Sequence, residues 1–298
     1  MIRAQRLPHE LTSGAFRVDE GQAVGVSRSR LRASDLSSPH HGVRIHRPPS
    51  TDLLERVDAF LPLLRADELF SHMTAAMLLG MRTPRRLRDA GLHVTTIGNR
   101  RARRRPGVVG HRAHHRPAAI TELGHPATDP IATWLDLAST LTLEETIAMG
   151  DGLVRRKQPF TTMDALAERV ELATGVRGIS TVRAAMPHIR PGTDSVRETL
   201  LRLVLLAAGL REPEVNGEIW DAAGTVWTHG DLVWRAERVI VEYDGEHHRT
   251  DRRQFSIDID RIGRLQAAGW HVIRVDAGLF ARRTELVVRI RSALMTAR

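Results

Sequence analysis

The hydrophobic pattern changes period along the chain, and the change is clearest in its last third. SVRETLLRLVLLAAGL, residues 195–210, sets apolar side chains three and four apart, the spacing of a helix with one buried face. Asp194 or Ser195 is placed to cap it and Gly209 to stop it. PEVNGEIWD and GTVWTHGDLVW then read as two strands around a turn at Ala223-Gly224, and ERVIVEYDG, rich in β-branched residues, as a third. DRRQFSIDIDRIGRLQAAG returns to the helical period, with Phe255, Ile259, Ile262 and Leu265 on one side. WHVIRV is a short strand and RTELVVRIRSALM a closing helix. The order α-β-β-β-α-β-α predicts one compact α/β layer structure over residues 191–298.

The same reading divides the rest of the chain in two. Over residues 1–50, AFRVDEGQAVGVSRSRLRASDL holds two short helical patterns broken at Gly25. Ser27 is a plausible N-cap for the second, which carries Arg28, Arg30 and Arg32. A helix, a tight turn and an arginine-bearing helix predict a helix-turn-helix that binds DNA. PHHGVRIHRP then reads as a wing, with Arg44 and Arg47 available to phosphate; the alternative is a plain helical cap. Residues 51–190 are expected to be mostly helical. LLERVDAFLPLL and SHMTAAMLLGM open that region, HVTTIG is a short extended stretch, and the later segments are amphipathic helices. NRRARRRPGVVGHRAHHRP interrupts them with seven arginines and three histidines, either a hairpin carrying phosphate contacts or an exposed basic loop. Asp136, Glu144, Glu145 and Asp151 read as solvated helix faces and caps.

Composition narrows the partners. The 298 residues carry a formal charge of +9, almost all of it arginine, since Lys157 is the single lysine. Such a surplus fits a polyanion whose phosphates it neutralises. Cysteine is absent, which removes disulfides, thiolate metal sites and cysteine nucleophiles and fits a reducing, cytoplasmic setting. Neither an apolar run of membrane-spanning length nor a secretory leader in MIRAQRLPHE is present, so no membrane partner is expected.

Against that basic background, VEYDGEHH at 241–248 places acids and imidazoles close together. Side chains alternate along a strand, so Ile240, Glu242 and Asp244 share one face. A tight connection at Arg235-Ala236-Glu237, centred near 236–237, sets Asp231 opposite Glu242. Opposed carboxylates repel, so the group Asp231, Glu242 and Asp244 calls for a cation or for raised pKa values. Oxygen ligands suit Mg²⁺, or Mn²⁺ in its place. The plainer alternative is a row of exposed acids running into an Asp244-Gly245 turn.

The pieces SVRETLLRLVLLAAGL, GDLVW, VEYDGEHH, DIDR and RLQAAGWHVIRV, in that order, resemble the restriction-endonuclease-like PD-(D/E)xK superfamily. More closely, they resemble the very-short-patch-repair (Vsr) endonuclease-like families. The resemblance implies an αβββαβ core in which Asp231 and Glu242 are metal ligands, Asp244 is a third acidic group and His248 is a catalytic histidine. It also brings Glu198, on the first helix, toward the site, and makes Asp258 and Arg261 an ion pair within the following helix. Where the superfamily has a lysine two residues after the acidic strand residue, this chain has Asp244; Vsr-like families use histidine, which leaves proton transfer to His248 or His247. The N-terminal unit together with SHMTAAMLLG and IATWLDLAST resembles AbiEi-type antitoxin or regulator proteins of actinobacteria, whose N-terminal part is thought to bind DNA.

The expectation is therefore a DNA-binding protein with a Mg²⁺-dependent endonuclease domain that hydrolyses phosphodiester bonds. Arg249, Arg252 and Arg253 would offset phosphate charge. The alternative is a non-catalytic regulator or antitoxin with a degenerate nuclease fold, and its further partners would be a cognate toxin or other protein, or a second copy of the chain. RNA as target stays open, although 4% aromatic residues offer few stacking platforms.

Overall fold

The structure, a computed structural model, describes residues 6–46, 50–88, 91–114, 117–121, 123–220, 225–244 and 252–296, with the side chains of Ala118 and of 252–258 outside that description. The chain divides into two compact units, Met1–Thr133 and Trp134–Arg298. Its architecture is mixed α/β, with three separate sheets among the described residues, none of whose helices is long and apolar enough to cross a membrane.

Unit 1 begins with β1 (Phe16–Arg17), α1 (Val18–Ala23) and β2 (Val43–Arg44), the two strands pairing antiparallel. Leu11, Phe16, Val26, Leu31 and Leu36 form a small core of their own. Gly25, at φ +84°, breaks the chain where expected, because only glycine takes that conformation without a steric cost. The second helix expected after it is a single 3₁₀ turn at Arg30–Arg32. Arg30 explains the difference. It is 7% exposed and donates to both oxygens of the exposed Asp35 at 2.9 and 2.7 Å, which ties the segment into a turn around a buried guanidinium. Arg44 is also held by internal partners, the carbonyl of Leu31 at 2.6 Å and Ser38 Oγ at 2.9 Å. Arg28 and Arg32 are exposed, and Arg47 lies outside the described residues.

The rest of unit 1 places a five-stranded sheet in the first part of the middle region expected to be mostly helical, while the later part of that region, residues 130–185, is helical as expected. After α2 (Leu53–Phe60) come β3 (Glu68–Phe70), α3 (His72–Leu78), β4 (Leu92–Ile97), β5 (Val108–Ala113), β6 (Ala118–Ile120) and β7 (Pro126–Thr128). The five strands form one sheet in the order β5-β4-β3-β7-β6. Three of them are only three residues long, too short to display a period of two. Phe60, Phe70, Ala75, Leu92, Val94 and Ala127 pack helices α2 and α3 onto it. The basic run reverses at Pro106-Gly107, where Arg105 makes an isolated antiparallel bridge to Val108, and β5 then pairs parallel to β4. Part of its charge turns inward: Arg103 pairs with Glu68, which is 2% exposed, while Arg101 and Arg104 face solvent.

α4 (Pro130–Leu137) carries the chain across the boundary into unit 2. There α5 (Leu143–Leu153), α6 (Met163–Glu171) and α7 (Ile179–Ala185) precede α8 (Val196–Ala207), β8 (Glu214–Trp220), β9 (Val226–Trp234), β10 (Val239–Tyr243), α9 (Arg252–Ala267), β11 (His271–Val275), α10 (Ala277–Ala281) and α11 (Arg283–Thr296). From α8 onward the expected order holds, with α10 added. The sheet runs β11-β10-β9-β8; β8, β9 and β10 are antiparallel neighbours and β11 is parallel to β10. One sheet face packs Leu232, Trp234, Val239 and Val241 against Leu201 and Leu205 of α8 and Leu286 and Ile290 of α11. The other packs Val233 and Ile240 against Leu265 of α9. Ile259, expected on that buried stripe, is 51% exposed. Asp151, expected at a solvated face, is fully buried against Arg202 at 3.0 Å. Its carboxylate also accepts from Thr199 Oγ1 and from the backbone of Arg190. A buried ion needs that full set of partners.

Candidate functional site

The β9–β10 turn determines which acids meet. Arg238 turns the chain at φ +52°, and its amide donates to the carbonyl of Arg235 at 3.2 Å. The ladder then pairs Val239 with Trp234, Ile240 with Val233 and Val241 with Leu232. One step further places Glu242 across from Asp231, as the centre expected at 236–237 requires. The amide of Tyr243 donates to Asp231 Oδ2 at 2.8 Å, fastening the carboxyl to the end of the neighbouring strand. Gly230 allows the close approach, since a Cβ there would lie 2.7 Å from Ile240 Cγ2.

The neighbouring strands extend the row. On β8, the pairs Val215–Leu232 and Gly217–Gly230 leave Asn216 facing Asp231. Asn216 sits at φ +47°, a conformation asparagine tolerates better than most residues. Its side-chain amide donates to Gly192 O at 2.9 Å and to Glu198 Oε2 at 3.0 Å. Glu198, 6% exposed, lies in the first turn of α8. Ser195 Oγ caps that helix by accepting from the Glu198 amide at 3.1 Å, and Glu198 Oε2 accepts in turn from the Asp194 amide at 2.9 Å. The positive end of the helix dipole favours a carboxylate there. On β11, Arg274 pairs across from Glu242 and bridges to Asp244 at 2.9 Å.

Arg261 of α9 completes the cluster. Its two terminal nitrogens donate to the two Glu242 oxygens, each at 2.7 Å. The resemblance made Arg261 half of an ion pair inside α9; the structure gives it a cross-element partner, and the Asp258 side chain lies outside the described residues. Asp231 carries the electrostatic strain of the arrangement. Burial, then the negative charge of Glu198, push its carboxyl up to about 8, and Glu242 pushes the same way; the Tyr243 amide and Arg261 oppose them. Near neutral pH this carboxyl holds a proton in the absence of a cation.

Asp231 and Glu242 thus stand opposite each other on neighbouring strands, with Glu198 near enough to raise the Asp231 pKa and Asp244 paired to Arg274, while no three of these acids bring ligand oxygens within 4.8 Å of one another. His247, His248 and Arg249 lie outside the described residues. Arg252 and Arg253 open α9, with their side chains likewise undescribed.

A second cluster, in unit 1, escaped sequence reasoning. His72, His93 and His111 place ligand nitrogens within 4.8 Å of one another. They come from the start of α3, from β4 and from β5. Burial, then the charge of His111, holds His93 down to about 4, and burial also lowers His111. Those two imidazoles are therefore neutral at pH 7, the form that binds metals. The only sequence signal was that HVTTIG and VGHRA each begin near a histidine; which of the 15 histidines would meet depended on a parallel pairing.

No family model matches the chain. It is similar to two proteins of Mycobacterium tuberculosis, "Uncharacterized protein Rv2248" and "Uncharacterized protein MT2308", with 28% identity over 239 residues in each case, spanning 79% of this chain and 83% of the relative. Among solved structures, that of the Rv2827c protein of Mycobacterium tuberculosis aligns with 70% of this chain and 84% of its own at 15% identity and a TM-score of 0.37, too low to assign a common fold.

Proposed function

We propose that unit 2 carries a restriction-endonuclease-like core that hydrolyses phosphodiester bonds in DNA with Mg²⁺ or Mn²⁺, and that the chain is a DNA-binding protein. The observation that carries this reading is Asp231: a carboxyl held opposite a second acid, on a fixed strand end, with its proton affinity raised by its surroundings. Such a group gains most when a cation replaces the proton. The donor set fits a hard divalent ion, since all its ligands are carboxylate oxygens. Arg261 takes one lone pair from each Glu242 oxygen, and a carboxylate offers about four acceptor sites, so Glu242 retains donor capacity toward a metal beside Asp231. When bound, the metal supplies an activated water and charge at the phosphoryl oxygen. Glu198 adds negative charge near Asp231 and holds the α8 end against β8. Arg261 and Arg274 limit the net charge of the acid cluster. His248 is the proposed proton-transfer group.

Arg28, Arg32, Arg101 and Arg104 of unit 1, all exposed, are the proposed phosphate contacts. Arg30 and Arg44 are left out, because internal partners hold them. The protein is proposed to act in the cytoplasm.

A second reading, a non-catalytic regulator or antitoxin with a toxin partner, is favoured by one observation: arginines already balance Glu242 and Asp244. Incubating the protein with supercoiled plasmid in Mg²⁺, Mn²⁺ and EDTA, beside Asp231→Asn, separates the two. Metal-dependent nicking that the variant lacks supports the nuclease. Duplex binding in EDTA, without cutting by either protein, supports the regulator.

A further inference from the structure

We propose that His72, His93 and His111 bind one borderline divalent ion, zinc first, in a three-imidazole site on the five-stranded sheet of unit 1. The site stands apart from the carboxylate cluster in chemistry as well as in residues. Three nitrogen donors select zinc and its transition-metal neighbours, whereas magnesium requires oxygen.

The geometry comes from the sheet. Thr95 of β4 pairs with His111 of β5, so His93, two residues before Thr95, lies on the same face as His111. His93 Nδ1 and His111 Nε2 stand 3.0 Å apart. That contact holds one proton between two lone pairs, a place where a Lewis-acidic cation competes. The other His93 nitrogen, Nε2, is buried with no hydrogen-bond partner, a cost the protein accepts without evident structural return.

His72 is brought over this pair by α3. The Ser71 amide donates to His93 O at 3.0 Å, and the His93 amide donates to Thr74 Oγ1 at 2.8 Å. These bonds stitch the first turn of α3 to β4 at the histidine itself. His72 sits at φ +50°, a strained conformation for a residue with a Cβ, and strain of this kind clusters at functional positions. Its ring lies 3.6 Å from that of His111 and 5.5 Å from that of His93, centroid to centroid. Ser71 Oγ accepts from Thr95 Oγ1 at 2.8 Å and lies 3.0 Å from His72 Nδ1. If the hydroxyl accepts from both, the His72 proton resides on Nδ1 and Nε2 is the nitrogen that would turn to the metal. A hydroxyl has the two lone pairs needed, and such a supporting hydrogen bond is the usual partner of a metal-bound histidine.

Zn–N bonds of about 2.0–2.1 Å in a tetrahedron put ligand nitrogens roughly 3.3 Å apart. The cluster is within 4.8 Å already, but the rings are stacked at interplanar angles of 14–29°, so binding requires the imidazoles to rotate until their lone pairs meet at one centre. All three side chains are partly exposed, leaving an entry path and room for a water as fourth ligand. The alternative, a stack of neutral rings that merely packs, makes no demand for metal.

The test uses the full-length protein, stripped with chelator and titrated with Co²⁺, then competed with Zn²⁺. One equivalent of Co²⁺ should bind with the intense visible spectrum of a tetrahedral site, and Zn²⁺ should bleach it. His72→Ala and His111→Ala should each weaken binding by more than about tenfold, the least expected even for loss of a supporting partner. His40→Ala, at a histidine outside the cluster that packs against Phe60, should bind as the wild type does. X-ray absorption on the zinc-loaded wild type should count three imidazole nitrogens, independently of any variant's folding. No uptake by the wild type, undiminished uptake in both histidine variants, or fewer than three imidazoles would overturn the assignment.

Discussion

The two clusters solve opposite charge problems. In unit 2, Asp231 lies near Glu198 and Glu242, and the fold offsets its acids with two arginines, helix-end amides and a raised pKa at Asp231. In unit 1, three imidazoles converge with no carboxylate in the group, and burial keeps two of them neutral by lowering their pKa. Like groups can be packed together only when each gives up its charge or gains a partner of opposite charge, and acids and bases lose charge in opposite pH directions. One arrangement suits a hard cation bound through oxygen, the other a softer one bound through nitrogen.

The largest effect that could break this comparison is chemical. Asp231→Asn should reduce Mg²⁺-dependent nicking to background in the plasmid assay while leaving duplex affinity in EDTA intact. Equal losses of cutting and binding would remove Asp231 from the metal site.

Next comes the pH dependence of stability, which should run in opposite senses in the two units. Asp231 has a folded pKa of about 8 against an ordinary 3.8. Without metal its contribution is present below about pH 4 and lost as pH rises toward 8. His93 is depressed to about 4 from 6.5. Its contribution is present above pH 6.5 and lost as pH falls toward 4. Thermal melts from pH 4 to 8 in EDTA should show Asp231→Asn gaining on the wild type at the alkaline end and His93→Asn gaining at the acid end. All five tryptophans lie between Trp134 and Trp270, in unit 2; tryptophan fluorescence therefore follows that unit while circular dichroism follows both. Parallel slopes for the two variants would mean that the clusters do not differ as described.

Smaller is the effect of releasing Glu242. Arg261→Gln should cost roughly 2–3 kcal/mol, the scale of losing charge-assisted hydrogen bonds in a largely buried pair. Added Mg²⁺ should recover part of that loss in a denaturant titration. If Mg²⁺ recovers none, Glu242 serves structure alone.

The smallest effect lies on the unit 1 surface. Arg28→Ala and Arg32→Ala should each lower the salt dependence of DNA binding by about one unit of slope. Arg30→Ala should lower stability without that signature, because Arg30 is bonded to Asp35. A slope change for Arg30 equal to those of its neighbours would contradict the inward role.

Legibility in the sequence followed contact range. The β9–β10 pairing spans a four-residue turn, so counting outward from its centre places Glu242 against Asp231 before any coordinates are consulted. The Ser195 cap and the Gly209 stop are equally local. The five-stranded sheet could not be read this way. Its β4–β5 pair is parallel, three of its five strands are only three residues long, and its partners are separated by segments that carry no register. Arg30, Arg103 and Asp151 look like surface charges in sequence, yet each is drawn inside by a partner that only folding supplies.

By itself, then, the sequence determined the α-β-β-β-α-β order of unit 2, the register of its central hairpin and the gathering of acids at that hairpin's end. Those features depend on turn chemistry and on side-chain alternation, both short-range and periodic. Only the tertiary structure decided that Arg261 reaches Glu242 across 19 positions, that burial and Glu198 together raise the Asp231 pKa, and that His72, His93 and His111 meet at all. These are consequences of which elements pack together, and the free energy of such packing is spread over many apolar contacts that leave no local mark at the residues they bring together.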